Sequence, residues 1–103
     1  MSWEVRQTRR FARTYKKLVN AALIADTDAA VATVAQDPDV GERKKGDLAQ
    51  LWVHKFRSQD QLYLLSYSRE DTVRLVYLEA LGPHKDFYLD FELILRNQPL
   101  KAG

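Results

Sequence analysis

Cysteine is absent from the 103 residues of this chain. Its absence excludes disulfide bonds, thiol nucleophiles and zinc sites built on cysteine. Histidine occurs only twice, as His54 and His84, and two histidines so far apart in the sequence are poor material for a transition-metal site. We therefore expect neither a metal ion nor any other cofactor.

Long apolar runs are also missing. No stretch approaches the roughly 20 residues that span a bilayer, and the N-terminus "MSWEVRQTRR" carries charges where a secretory signal requires an apolar segment. We therefore expect a cytoplasmic protein with no membrane partner. A hydrophobic content of 46% and a charged content of 29% are typical of a globular protein, and 103 residues suit one domain, which we expect to cover residues 1–103.

Several catalytic motifs are lacking as well. The sequence contains no glycine-rich phosphate loop, no nucleophile elbow and no His-Glu metal motif. The carboxylates are scattered as expected for a solvated surface. Enzyme classes that depend on these motifs therefore find no support.

Positive charge, in contrast, is concentrated in two places. The net charge is only +2, yet residues 6–17 contain six cations and no acid, and residues 43–45 form a second cluster. Such clusters are often solvated surface, but they also attract polyanions because binding releases counterions from nucleic acid. The sequence leaves both interpretations open. The first cluster consists of Arg6, Arg9, Arg10, Arg13, Lys16 and Lys17, and the second of Arg43, Lys44 and Lys45.

The first half of the chain predicts a strand and a helical hairpin. Alternation at Trp3 and Val5 indicates a short strand, and Thr8 is placed to cap a helix whose apolar residues recur at helical spacing as far as residue 23. The acidic segment 26–28 predicts the start of a second helix, which must end before Pro38 because proline disfavours helical geometry in the residue before it.

The second half predicts a sheet followed by a helix. Residues 37–49 are typical of a basic, mobile loop. Strands are then predicted at Leu51 to Arg57, Leu62 to Ser68 and Thr72 to Leu81, with the short polar segments "SQDQ" and "SRED" as hairpin turns. An amphipathic helix follows the Gly-Pro pair at 82–83. The predicted order is β-α-α-β-β-β-α, an α+β fold in which a curved antiparallel sheet carries the N-terminal helical hairpin on one face.

The two histidines occupy different positions in this order. His84 follows Gly-Pro at a corner between strand and helix, where it is either a helix cap or a group that moves protons; histidine is a poor cap, and Asp86 is available for that role. His54 shares one face of its predicted strand with Trp52 and Phe56, which suits a structural role as well as a catalytic one. The sequence alone does not decide between these alternatives.

Four features together resemble the RelE/ParE superfamily of bacterial type II toxins. They are the predicted order of elements, the loop "KKGDL" leading into "LWVHKF", the run "LYLLSY" and the corner "ALGPHKDFY". Many members of this superfamily are small basic ribonucleases that cleave messenger RNA on the ribosome and are held inactive by an antitoxin from the same operon. Members of the ParE-like branch instead poison DNA gyrase. The resemblance implies a cognate antitoxin as partner, with mRNA and the ribosome, or alternatively gyrase, as target.

The resemblance also implies a set of site residues. Ribonucleases of the YafQ and HigB type place a histidine on the second strand, a histidine just after the last strand and an aromatic residue four positions later. Those positions match His54, His84 and Tyr88. The sequence departs from the RelE branch, which carries an arginine where this chain has Gln61 or Leu62, and it lacks the loop histidine of the YafQ type.

Cleavage of RNA without a metal ion requires a base, an acid and cations around the phosphorus. Histidine suits the proton transfers, and lysine and arginine supply the positive charge. Strict alternation along the strand directs Lys55 and Arg57 away from His54. The catalytic candidates are His84, His54, Tyr88 and Arg57, and the candidates for RNA binding are Lys44, Lys45, Lys55 and Lys85.

Overall fold

A computed structural model describes residues 2–44 and 50–84 of the chain. This part contains five strands, two helices and two short 3₁₀ segments, at Pro38–Val40 and Asp71–Val73. The strands are β1 (Glu4–Gln7), β2 (Glu42–Arg43), β3 (Trp52–Ser58), β4 (Gln61–Glu70) and β5 (Leu75–Pro83), and the helices are α1 (Arg9–Lys16) and α2 (Ala21–Gln36).

The strands form a single sheet in the order β1-β5-β4-β3-β2. The pairs β2/β3, β3/β4 and β4/β5 are antiparallel, whereas β1 lies parallel to β5. The α+β class is therefore confirmed, and the sheet is mixed rather than wholly antiparallel. The helical hairpin makes this possible, because it carries the chain from β1 at one edge of the sheet to β2 at the other. The meander of β2 to β5 then returns to the first edge, where β5 runs in the same direction as β1.

The strand register divides the side chains between two faces of the sheet. On one of them, the helix-covered face, Phe11 of α1 and Val34 of α2 pack against buried residues of β4 and β5. Trp52 and Phe56 of β3 pack against the same cluster and remain partly exposed. This face therefore holds the core, whose buried members are Phe11, Ala30, Val34, Leu65, Tyr67, Val76, Leu78 and Leu81.

The hairpin of α1 and α2 turns earlier than the sequence predicts. Helix α1 ends at Lys16, and α2 begins after Asn20, whose side chain accepts a hydrogen bond from the backbone N–H of Leu23. Thr27 is fully buried inside α2, so the acidic segment around it does not cap a helix. This capping hydrogen bond from Leu23 to the side chain of Asn20 decides the boundary, since it satisfies a backbone donor that the apolar periodicity does not reveal.

Strand β4 is longer than predicted, and the turn after it lies further along the chain. The segment "SRED" belongs to β4 as far as Glu70, and the chain reverses at Asp71–Val73 with Arg74 in the left-handed region at φ 53°. The short strand β2 occupies part of the segment predicted as a loop. The extension of β4 and the strand β2 are both formed by pairing with another strand. Local composition does not predict such pairing, because the partner lies elsewhere in the sequence.

The turn between β3 and β4 is formed by Gln59 and Asp60, both with positive φ, at 53° and 67°. Positive φ at both central residues gives the backbone twist that suits a two-residue hairpin. The side chains of Asn20 and Gln59 exchange two hydrogen bonds of 3.2 and 3.1 Å, which tie this turn to the start of α2.

No helix in the described ranges is both long enough and apolar enough to cross a membrane. The predicted C-terminal helix lies outside the described residues, as do the candidates Lys45, Lys85 and Tyr88.

Candidate functional site

His54 lies in the middle of β3 on the helix-covered face. It is opposite Leu65 in the register and between Trp52 and Phe56 on the same face, and it is partly buried. Burial lowers the pKa of His54 below its ordinary value of 6.5, because the charged imidazolium loses solvation there. His54 is therefore surrounded by the aromatic and aliphatic side chains of the core face, a position that suits the structural role left open by the sequence.

Lys55 and Arg57 belong to the same strand and lie on the opposite face. Both are exposed, as the alternation along β3 predicts. The ammonium group of Lys55 is 4.0 Å from the carboxylate of Glu42 on the edge strand β2, and both of these side chains are well solvated. Such a pair contributes little to stability, so Lys55 remains available to an anion that approaches this face.

His84 follows β5 directly at the corner of the sheet. Pro83 is the last residue of β5 and is paired with Tyr63, which is also the partner of Phe56 on β3. In the next row across the sheet, Arg57 of β3 pairs with Leu62 of β4. Because His84 follows Pro83 directly, it lies beside this row. Adjacent strands are about 4.8 Å apart, which places the backbone of this exposed corner roughly 10 Å from that of β3.

Lys55 and Arg57 have long side chains, so their charged groups can extend well beyond the backbone of β3 toward an anion bound at this corner. The structure therefore brings His84 and Arg57 to neighbouring rows of the sheet, whereas the side chain of His54 is directed to the other face. Among residues 2–44 and 50–84, no three histidine, aspartate or glutamate side chains lie close enough together to hold a metal ion. Within this part of the chain, the chemistry available at the corner is proton transfer and charge stabilisation.

Lys44 lies just beyond β2, at the edge of the sheet. Its backbone N–H donates a 2.9 Å hydrogen bond to the carbonyl oxygen of Leu51, which extends the pairing of β2 with β3 by one residue. The backbone of Lys44 is thus fixed beside the strand that carries Lys55. Lys44 is therefore a third cation near the strand on which Lys55 and Arg57 are exposed.

A second cluster of charged side chains is centred on Arg69, and the sequence does not reveal it. The guanidinium of Arg69 lies 5.0 Å from the ring centre of Trp3 and 4.7 Å from that of Trp52. It also donates hydrogen bonds of 2.7 Å to Asp39 and 2.8 Å to Asp71. Contacts with two rings and two carboxylates leave this side chain only 12% exposed. The only sequence signal is an arginine in a segment predicted as a turn.

An open cavity of about 510 Å³ lies beside this cluster. Its walls include Trp52 and Arg69 together with Arg43, Glu70 and Asp71, so positive and negative side chains are mixed. Because Arg69 is already held by two carboxylates, it is a poor candidate to bind an anion in the cavity. The contacts of Arg69 with two rings and two carboxylates instead tie this end of the sheet together. Lys55, Arg57 and His84 therefore remain the functional candidates among the described residues.

Solved structures with the same fold are toxins of the RelE type. The Mycobacterium tuberculosis RelBE2 toxin-antitoxin complex contains a chain that is 22% identical, with a TM-score of 0.68 over 82% of this chain and 100% of that chain. A mutant of the Escherichia coli toxin RelE in the free state is 18% identical, with a TM-score of 0.70 over 94% of this chain and 99% of that chain. In the intact E. coli RelBE complex the matching chain is 18% identical, with a TM-score of 0.65 over 79% of this chain and 95% of that chain. At these identities the likeness shows the fold.

The sequence itself matches one family model. The model describes a ParE-like toxin of a type II bacterial toxin-antitoxin system, and the match covers residues 5–92. No curated protein sequence matches the chain. The family match includes all of the described strands and helices except the first residue of β1, and the fold of the RelE toxins agrees with it. The chain is a toxin of the RelE/ParE superfamily and belongs to the family of ParE-like toxins of type II bacterial toxin-antitoxin systems.

Proposed function

We propose that this toxin is an endoribonuclease that cleaves messenger RNA on the ribosome without a metal ion. The observation that carries the proposal is the position of His84, exposed at the end of β5 and next to the row of the sheet that contains Arg57. The backbones that carry the imidazole of His84 and the guanidinium of Arg57 are roughly two strand spacings, about 10 Å, apart. Side chains that extend from both can reach the two sides of one reacting phosphodiester.

In the proposed reaction, the 2′-oxygen of the RNA attacks the adjacent phosphorus and the bond to the 5′-oxygen breaks. His84 takes the proton of the 2′-hydroxyl, and Arg57 and Lys55 stabilise the negative charge that develops on the phosphorane oxygens. Water or a second acid donates the proton that the leaving 5′-oxygen requires. From the resemblance, Tyr88 stacks on a base, and Lys44, Lys45 and Lys85 bind neighbouring phosphates.

A catalytic role for His54 remains a separate part of the proposal. Its side chain lies on the helix-covered face, so it would reach the same phosphodiester only if β3 moved relative to the helices. The position of His54 therefore favours a role in stability.

The proposed partner is a cognate antitoxin, in keeping with the family and with the toxin-antitoxin complexes that share the fold. An acidic segment of the antitoxin that covers Lys55 and Arg57 would compete with RNA for the same charges. Because ribosomes are the proposed target, the proposed location is the cytoplasm.

The test is cleavage of mRNA on ribosomes by the purified chain, after the chain alone has been treated with a chelator and the chelator has been removed by dialysis. We expect cleavage to persist after this treatment and to fall by about 10²–10⁴-fold in His84→Ala, since removal of a proton-transfer group costs that much. Thr72→Ala, at another exposed position, is the matched control and should cleave normally. Equal activity of His84→Ala and the control, at equal melting temperatures, would exclude His84 from the mechanism.

The alternative function is inhibition of DNA gyrase, and the name of the matching family favours it because ParE-like toxins poison that enzyme. In this case expression of the toxin should produce DNA cleavage complexes while translation continues. His84→Ala should then leave toxicity unchanged, since a protein that acts by binding needs no titratable group at the corner of the sheet.

A further inference from the structure

We propose that the exposed side of α1 is a second RNA-backbone site, separate from the corner that contains His84. This inference rests on the proposed function for the identity of the polyanion. The site is the groove lined by Arg9, Arg10, Arg13, Thr14 and Lys17, with a volume of about 370 Å³, named here the basic groove.

The geometry of α1 separates its cations from its core residues. Phe11 is 1% exposed and stacks on Tyr15 at 6.0 Å between ring centres, so one side of the helix faces the core. Positions 9, 10, 13, 16 and 17 are all exposed, and at 100° per residue they fall within an arc of roughly 120° on the other side. Five cations therefore point into solvent together, and among the described residues none of them forms an ion pair.

The cations of α1 are arranged in two rows along the helix. Arg10 and Lys17 lie on one row with Thr14 between them, and Arg9 and Arg13 lie on the next. Seven residues of helix extend about 10.5 Å, while one nucleic-acid strand in a duplex presents a phosphate roughly every 3.4 Å along the axis. The two rows can thus contact about three successive phosphates, and three of the five groove residues are arginines, whose planar groups bind phosphate oxygens in pairs.

Other anionic partners fit this surface less well. A bound acidic peptide requires apolar anchors, yet every side chain that lines the basic groove is charged or a hydroxyl. An anionic membrane requires several apolar residues to insert together. Among the described residues, Val19 is exposed just after α1, and the other two exposed large apolar residues, Val40 and Val73, belong to other segments. A polyphosphate chain needs only the cations and the threonine hydroxyl that are present.

The basic groove lies on the other side of the sheet from the cations of β3. Helix α1 packs on the helix-covered face, where the hydroxyl of Thr8 donates a 2.8 Å hydrogen bond to the carbonyl oxygen of Leu78 in β5. Lys55 and Arg57 are on the opposite face. One short RNA strand does not reach both sites by a straight path, so the toxin would contact a folded RNA on two sides. The corner would hold the strand to be cleaved, and the groove would hold backbone elsewhere.

The experiment measures affinity for labelled single-stranded RNA by fluorescence anisotropy over a range of salt concentrations, in a His84→Ala background so that no RNA is cleaved. The test variant is Arg10→Gln/Lys17→Gln. The matched control is Ala25→Glu/Ala32→Glu, two exposed positions of α2 that change the net charge of +2 by the same two units. Circular dichroism checks that both variants keep their helices.

If two phosphate contacts are lost, the slope of log K against log salt becomes shallower by about 1.4, and the affinity at about 0.1 M salt falls roughly 25-fold. The control should keep the slope of the parent protein. If both variants lost RNA affinity equally, the change in net charge alone would explain the loss and the proposal would be overturned. Unchanged RNA affinity together with loss of affinity for a glutamate-rich peptide would also overturn it, and would identify the groove as a protein-binding surface.

Cleavage is measured separately, so the two proposals can fail independently. RNA affinity that depends on the basic groove, with no cleavage on ribosomes, would contradict the proposed function and leave the groove assignment intact. Affinity that is lost in Lys55→Gln/Arg57→Gln but not in the groove variant, with ribosomal cleavage present, would support the proposed function and overturn the groove assignment.

Discussion

The two faces of β3 differ in what they contribute to the protein. Trp52, His54 and Phe56 face the helices and are partly buried, whereas Lys55 and Arg57 face the other way and are exposed. On the second face Val53, at the start of the strand, is buried, and the two cations follow it. A single strand therefore carries an apolar face toward the helices and, from Lys55 onward, a charged face on the other side. The comparison shows that proximity in sequence to a functional residue says little about function in a strand, because neighbours are on opposite sides of the sheet.

The largest effect should come from a comparison of substitutions at two adjacent residues of β3 that lie on opposite faces of the sheet. Arg57→Gln should reduce RNA cleavage by about 10²–10³-fold, with an unchanged melting temperature, because it removes one charge that stabilises the phosphorane. Phe56→Leu, one residue earlier, removes a ring stacked on Tyr63 at 5.7 Å and should lower the melting temperature while folded molecules cleave normally. If Phe56→Leu reduced cleavage at full stability, the division between the two faces would be wrong.

The next effect concerns the clamp that fixes the 3₁₀ segment Pro38–Val40 to the helix-covered face. The hydroxyl of Tyr67 donates a 2.6 Å hydrogen bond to the carbonyl oxygen of Pro38 and accepts one of 3.1 Å from the N–H of Gly41. A Cβ at Gly41 would lie 2.4 Å from the Tyr67 hydroxyl and 2.9 Å from the carbonyl oxygen of Val53. Gly41→Ala should therefore lower the free energy of unfolding by about 1–3 kcal/mol.

Urea denaturation measures this loss, and Tyr67→Phe provides the control. Removing the hydroxyl alone leaves polar groups of the segment unpaired and costs about 1–3 kcal/mol. The double variant Gly41→Ala/Tyr67→Phe should be less destabilised than the sum of the two, because the nearest clashing atom is gone. Additive losses would show that the contact with the hydroxyl is not the cause.

His54 gives a smaller effect that depends on pH. Its folded-state pKa is lowered by burial, so below the ordinary value of 6.5 the unfolded chain binds a proton that the folded chain does not. Stability should thus fall as the pH drops from 6.5 toward the folded-state pKa, and level off below it. His54→Gln should abolish this part of the pH dependence, measured as the difference in free energy of unfolding between the two proteins.

The same variant separates the two roles of His54. If the residue is structural, His54→Gln changes stability and folded molecules still cleave RNA. If cleavage is lost while the free energy of unfolding at neutral pH is unchanged, His54 is catalytic despite its place on the helix-covered face.

The smallest effect is expected at the turn between β3 and β4. Asp60 has φ 67°, which costs a residue with a Cβ more than it costs glycine. Asp60→Gly should raise the free energy of unfolding by up to about 1 kcal/mol, since relief of roughly 1–2 kcal/mol of strain is partly offset by the entropy of glycine. Thermal denaturation measures it, and Thr72→Gly, where no positive φ is present, should destabilise.

Much of the fold and part of the site could be predicted from periodicity. The apolar spacing at Phe11 and Tyr15 predicted α1, and the alternation in β3 predicted that Lys55 and Arg57 would lie on the face opposite His54. The boundary at Asn20 could not be predicted, because one side-chain hydrogen bond outweighs a periodicity that would allow α1 to continue. The assembly of Arg69 with two tryptophans and two carboxylates was equally out of reach, since its members come from four separate segments of the chain.

The sequence by itself determined β1, the two helices and the three long strands apart from their bounds, the concentration of cations in α1 and the corner that carries His84. These depend on residues close together in the chain. Only the tertiary structure decided that β1 lies parallel to β5, that His54 is covered while Arg57 is not, and that the basic groove and the cations of β3 are on different sides of the sheet. The physical reason is that strand pairing and helix packing are contacts between distant segments, and their free energy is gained only when the whole core closes.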